Sequence, residues 1–297
     1  MSDQERRAEA LAAALPPLLV QAERLAALVW QGGHGRRQVG AGESFWQYRP
    51  YAAGDSVTAI DWRKSAKGSG RGGLLVRERE WSVAQSLWLW RDGSTCMDWA
   101  SAPGLERKQA RAEVLLLALA ALALRGGEKV ALAGDDLPPA SGRIALPRLA
   151  ARLASNVPAQ PHLFPAPPRH GVVVLFSDFL RPLSEIEAAL RRLRAPGVTA
   201  HLVQIIDPAE ESFPYRGRVR FFAAEGEGGV MAARAEDWRA DYRARFAAQC
   251  AGVADLARTL GLTLLRHHTD QPPATALLAL HQHLAERPGL EAGGGAL

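Results

Sequence analysis

The spacing of apolar residues divides this chain into two parts of different texture. From Ser86 onward, short apolar runs alternate with stretches of helical length. Ser86 to Arg91, Lys129 to Gly134, Gly171 to Phe176, Thr199 to Ile206 and Leu262 to Arg266 read as strands. Leu105 to Arg125, Ser184 to Ala195, Ala235 to Leu260 and Ala274 to Glu286 read as helices. Such alternation predicts an α/β fold, a doubly wound and mostly parallel sheet with helices on both faces. The unbroken run Val172, Val173, Val174, Leu175 predicts a central strand, apolar on both sides. Val219 to Phe222 and Val230 to Ala233, parted by a Glu/Gly turn, predict a hairpin inserted after the fourth strand.

Before Ser86 the pattern is weaker. Pro17 suits a first helical turn, and Leu18 to Trp30 predicts a helix stopped by Gly32-Gly33, with Leu18, Ala22, Leu25 and Val29 on one face. Gln31 to Gly73 shows no period and is expected to be irregular; Leu74 to Glu80 reads as a strand. Gly68 to Gly73 spells G-x-G-x-x-G, but it opens a strand instead of leading from a strand into a helix, which excludes a dinucleotide loop. Pro158 to Pro168, with five prolines, predicts a loop or linker. The division expected is residues 1–85, an N-terminal helix with an irregular and β segment, residues 86–290, the α/β domain, and a frayed Gly/Ala-rich tail at 291–297.

Charge and cysteine content narrow the function. The net charge is +5, and residues 31–79 carry nine Lys/Arg against four Asp/Glu. That excess could serve an acidic partner or nucleic acid, but the bases are spread out and interleaved with acids, which favours a solvated face over a nucleic-acid site. Two cysteines, Cys96 and Cys250, make no disulfide framework, so a cytoplasmic protein is expected. Met1 to Ala10 mixes acids and bases, which argues against a signal peptide, and the longest apolar run, Val114 to Leu124, is too short for a bilayer span of about 20 residues.

The densest chemistry lies between Gly42 and Glu80. Gly42 with Glu43, Arg49 with Tyr51, Gly54 with Asp55, Ile60-Asp61-Trp62, Ala66 with Lys67, and Val76-Arg77-Glu78 follow one another in order. This series resembles the signature of the bacterial family called domain of unknown function 58. Two positions depart from it: Thr58 and Ala59 stand where the family usually has Arg before Ile-Asp-Trp, and Lys67 stands where it prefers Arg. Asp207-Pro208-Ala209-Glu210, the hairpin, Tyr242 to Arg245 and Thr269 to Pro272 extend the resemblance over most of the chain. Within the signature, Asp61 sits between two large apolar residues and calls for a cation; a network of Arg49, Asp55 and Asp61 is expected, with Glu43, Tyr51, Gly54 and Trp62 as the other interaction or bracing residues.

The resemblance implies a von Willebrand factor A-like α/β domain, with a divalent ion held where strand ends converge. Asp92 and Ser94 after the first strand, and Asp178 after Val172 to Phe176, match the ligands of such a site. Cys96 replaces a second serine, and a thiol is a poor ligand for Mg2+. The usual threonine is missing, leaving Ser141 or Ser155 as substitutes, so a degenerate metal-ion-dependent adhesion site with weak or absent Mg2+ binding is expected. Catalytic patterns are lacking. His267-His268 diverge at a strand end, His281 and His283 are two apart on a helix, and no zinc-hydrolase spacing occurs. The resemblance further implies a non-enzymatic interaction module acting with a MoxR-type AAA+ ATPase and other von Willebrand factor A-like proteins, in chaperone-like maturation of target complexes. A metal-dependent hydrolase using Asp92 and Asp178, or nucleic-acid binding through residues 31–79, are the alternatives.

Overall fold

The computed structural model describes residues 17–30, 45–51, 60, 62–67, 74–79, 86–135, 137–155, 171–193, 198–222 and 228–285. Two units emerge, Arg36–Ala84 and the α/β unit, Met1–Gly35 with Gln85–Leu297. Helix α1 (residues 17–30) belongs to the α/β unit, and its Ala22, Leu25, Ala26 and Val29 enter that unit's core.

In the smaller unit, β1 (Phe45–Pro50) pairs antiparallel with β2 (Leu75–Arg79), with a register shift between Phe45 and Gln47. Helix α2 (Trp62–Lys67) lies between them in sequence, and the Leu75 N–H donates to Ser65 Oγ at 2.9 Å. The expectation that Gln31 to Gly73 is irregular is therefore corrected for β1 and α2. The aromatic run Phe45-Trp46-Gln47-Tyr48 favours a strand, but its pairing partner lies far along the chain, and no local period announces it.

The α/β unit continues with β3 (Ser86–Arg91), α3 (Lys108–Arg125), β4 (Lys129–Leu132), α4 (Ala145–Ser155) and β5 (Val172–Ser177). Then come α5 (Leu183–Arg192), β6 (Thr199–Ile206), the short α6 (Pro208–Ser212), β7 (Val219–Phe222) and β8 (Gly229–Ala232). It closes with α7 (Arg239–Leu260), β9 (Thr263–His268) and α8 (Pro273–Ala285).

Strands β4-β3-β5-β6-β9 form one parallel sheet in that order, and β7-β8 form the expected hairpin. All six residues of β5 are buried and it is the middle strand, as its apolar run predicts. From β3 the chain winds one way to β4; from β5 it winds the other way through β6 to β9. With right-handed crossovers this puts α3 on one face and α5 and α7 on the other. Helix α3 packs against α8, and α5 packs against α7. The second contact depends on Gly252, where a Cβ would come within 2.4 Å of Leu183 Cδ1.

The sequence reading left out α4. Its Ala145, Leu146, Leu149, Ala150 and Leu153 are buried at helical spacing, while Pro147 reads as a breaker. The proline sits in the first turn, where a helix has no use for its missing N–H.

Candidate functional site at the carboxyl edge of the sheet

Connections leave β3 and β5 in opposite directions, so the crevice beyond their carboxyl ends is where an α/β sheet offers a ligand site. Arg91 and Phe176 are register partners there, and the Asp92 N–H extends the ladder to the Phe176 carbonyl at 2.8 Å. Asp92 and Asp178 thus follow neighbouring strands, and both are buried. Asp92 is fully engaged: Oδ1 accepts from Ser94 N at 2.8 Å and Oδ2 from Ser177 Oγ at 2.6 Å. Burial pushes its carboxyl pKa up, and the hydrogen bonds from Ser177 and Ser94 offset this only in part. Asp178 Oδ1 accepts from Leu180 N at 3.1 Å.

A third acid comes from beyond β6. Asp207 caps α6, its Oδ1 accepting from Ala209 N at 2.8 Å and its Oδ2 from Ser101 N at 2.8 Å. Glu210 completes a capping box by accepting from Asp207 N at 2.9 Å. The other Glu210 oxygen bonds Lys108 Nζ, and the same ammonium donates to Asp178 Oδ2 at 2.8 Å. Lys108 is 1% exposed. Burial works against its charge, but Asp178 and Glu210 outweigh that and hold its pKa above the ordinary value. Burial raises the Glu210 carboxyl pKa despite Lys108. One cation from the start of α3 therefore joins acids that follow β5 and β6.

Of the residues singled out in the sequence, Asp92, Ser94 and Asp178 come together at this edge. Cys96 stands in the turn Thr95–Met97, on the wall of the groove described next. Ser141 is exposed, in the connection between β4 and α4, and makes no bond to these acids. Glu43, Gly54, Asp55 and Asp61 lie outside the described residues, and so does the network expected of Arg49, Asp55 and Asp61. Arg49 stands in β1 opposite Val76, Tyr51 follows β1 and donates its N–H to the Leu74 carbonyl at 2.7 Å, and Trp62 opens α2, 58% exposed. Among the described residues no group of three or more His, Cys, Asp or Glu is placed to hold a metal ion. The donor set suits Mg2+ poorly: Asp178 Oδ2 is committed to an ammonium and both Asp92 oxygens accept hydrogen bonds.

Beside the acids opens a groove of about 580 Å3 lined by Leu180, Phe213, Tyr215, Phe221, Phe222 and Tyr242, with Asp98, Glu210 and Arg220 among its polar residues. Phe213 is its hub, with ring centroids 5.2 Å from Tyr215, 5.6 Å from Phe221 and 4.6 Å from Tyr242. Its backbone is left-handed, φ 48°, and its carbonyl accepts from Arg239 Nε at 2.9 Å. Phe179, directly after Asp178, shares that conformation at φ 52°. Large side chains rarely adopt positive φ, and such strain gathers at functional sites. The Tyr242 hydroxyl, pushed up to about 12 by burial and then by Glu210, stays protonated. Phe222, Val230 and Met231 of the hairpin are exposed. Arg216 and Arg218 are exposed too, and have no ion pair among the described residues, while the Arg220 guanidinium lies 5.0 Å from the Phe222 ring centroid.

Sequence reasoning missed Lys108 and Glu210. A signal for Glu210 was present, since Asp-Pro-x-Glu is a capping-box pattern with Pro at the first helical position. Lys108 carried a fainter one, because a lysine opposes the dipole at a helix N-terminus and needs acids nearby.

No curated protein matches the chain. Among solved structures, an aerotolerance-related membrane protein from Bacteroides fragilis, carrying multiple mutations to serines, is 17% identical with a TM-score of 0.44. The conserved hypothetical protein BatB from Bacteroides thetaiotaomicron is 14% identical with a TM-score of 0.39. Each likeness covers 68% of this chain and 100% of the other, and both are too weak to speak to function. The family comparison is decisive: the model for the protein of unknown function DUF58 matches residues 47–252, and the chain belongs to that family.

Proposed function

We propose that this chain is a non-enzymatic protein-interaction module whose α/β unit is von Willebrand factor A-like, and that it receives a protein partner in the aromatic groove at the sheet edge. The observation that carries the reading is the groove itself, about 580 Å3, aromatic-walled and flanked by exposed Phe222, Val230 and Met231. Aromatic and arginine side chains dominate binding hot spots. Arg216, Arg218 and Arg220 alternate along the segment entering β7, so a segment with an apolar anchor flanked by acids is the occupant that complements it. No enzymatic role is assigned, because the buried acids are tied to Lys108, Ser177 and backbone N–H groups, and burial raises the Cys250 thiol pKa. The family resemblance supports a MoxR-type AAA+ ATPase as the partner to test first.

Interferometry of the full chain against the MoxR-type ATPase of the same host, with and without ATP, tests this. Phe222→Ala with Met231→Ala should weaken binding by roughly tenfold or more with Tm unchanged. Arg216→Glu with Arg218→Glu should slow association most at low salt. No binding, or equal binding by the first variant and the wild type, would sink the reading.

A further inference from the structure

Buried lysines are costly, and a helix N-terminus is the wrong end for one, because its free N–H groups repel a cation. Lys108 nevertheless opens α3 fully buried. Its Nζ donates to Asp178 after β5 and to Glu210 after β6, and lies 6.0 Å from the centroid of Trp99. Three separate segments thereby converge on one positive charge. That is the task a divalent ion performs in a sheet-edge site: it neutralises acids from different loops and fixes them together. We propose that Lys108 is the resident cation of this edge, a built-in ammonium that stands where a divalent ion would stand and makes the edge independent of metal. The reading does not depend on what the groove binds.

The geometry has a consequence for the neighbouring residues. Glu210 holds the first turn of α6, and Phe213 caps the carboxyl end of α6, so the ammonium also anchors the floor of the groove. Replacing Cys96 by serine adds an oxygen but leaves Lys108 on Asp178, so Cys96→Ser should remain indifferent to Mg2+.

Thermal melts and calorimetric titrations of the full chain with Mg2+ or Mn2+ test the proposal. The wild type should melt at one temperature in EDTA and in millimolar Mg2+ or Mn2+, and show no saturable binding. Lys108→Ala removes the cation from between two buried acids and should lower Tm by about 10 °C. Mn2+ should restore more than half of that loss saturably, and Asp178→Asn in the same chain should abolish the restoration. Saturable binding by the wild type that Asp178→Asn removes would overturn the proposal. So would a Lys108→Ala variant that melts like the wild type, or a loss that neither ion restores. Should Lys108→Ala fail to fold, the wild-type titration decides alone: saturable binding refutes the resident ammonium, and indifference upholds it.

Discussion

Asp207 shows how a single buried carboxylate can organise a site. It is 0% exposed, caps α6 through Ala209 N and ties the loop after β3 through Ser101 N. Asp207→Ala removes the cap and leaves a backbone donor unpaired, so it should cost about 2–3 kcal/mol in urea denaturation. Asp255 offers the contrast. Its pair with Arg258, 3.0 Å apart and largely exposed, should contribute at most about 1 kcal/mol, and Asp255→Ala should be close to neutral. Equal costs for the two variants would mean that the cap does not hold the edge. Asp61, for which the sequence predicts a comparable bracing role, lies outside the described residues; unchanged melting temperatures of both Asp61→Ala and Arg49→Ala would rule that role out.

At the scale of elements, close approach matters as much as hydrophobicity. Helices α5 and α7 share one layer, and Gly252 lets α7 meet Leu183. Gly252→Val would thrust a branched side chain into Leu183 and should lower Tm by about 5 °C. An unchanged Tm would show that the two helices part without cost. Element type was legible wherever the apolar period was strong, as in β5 and β6, both read at nearly their observed bounds. Element ends were less so: α3 begins at Lys108, not Leu105, and a short 3-10 turn, Ala235–Trp238, precedes α7. Ends are set by which backbone groups find tertiary partners, and the Lys108 N–H finds the Trp99 carbonyl at 3.1 Å.

Over the whole molecule, pH dependence should carry a histidine signature. His267 is buried, and Arg111 Nη1, which can only donate, lies 3.0 Å from its Nε2, so that nitrogen is an acceptor and the ring is neutral. Burial and then Arg111 hold its pKa at about 4, below the ordinary 6.5; His268 pushes the same way, and Asp270 and Glu106 oppose. A depressed pKa means that the unfolded chain takes up the proton first. Stability from His267 is therefore complete above pH 6.5 and is lost as pH falls toward 4, by up to about 3 kcal/mol. Asp92, Glu113 and Glu210, with raised pKa values, act in the opposite sense, since the native state binds their protons more readily than the unfolded chain does. Comparing His267→Gln with the wild type isolates the histidine: the variant's Tm should fall less between pH 7 and about 4.5. Parallel curves would exclude it. Among the described residues no helix is long and apolar enough to cross a membrane.

The sequence by itself determined the α/β class, the middle place of β5 and the hairpin, because each follows from local period and from the alternation of strands with helices. The family signature was legible for a different reason: its residues stand in a fixed order along the chain. Only the tertiary structure decided that Lys108 lies between Asp178 and Glu210, partners 70 and 102 residues away. It also decided that Pro147 opens a helix and that Phe45–Pro50 finds its strand at Leu75–Arg79. Period reports which face of an element is apolar; it carries no information on which distant charge will be buried beside it, since that depends on how the whole sheet is wound.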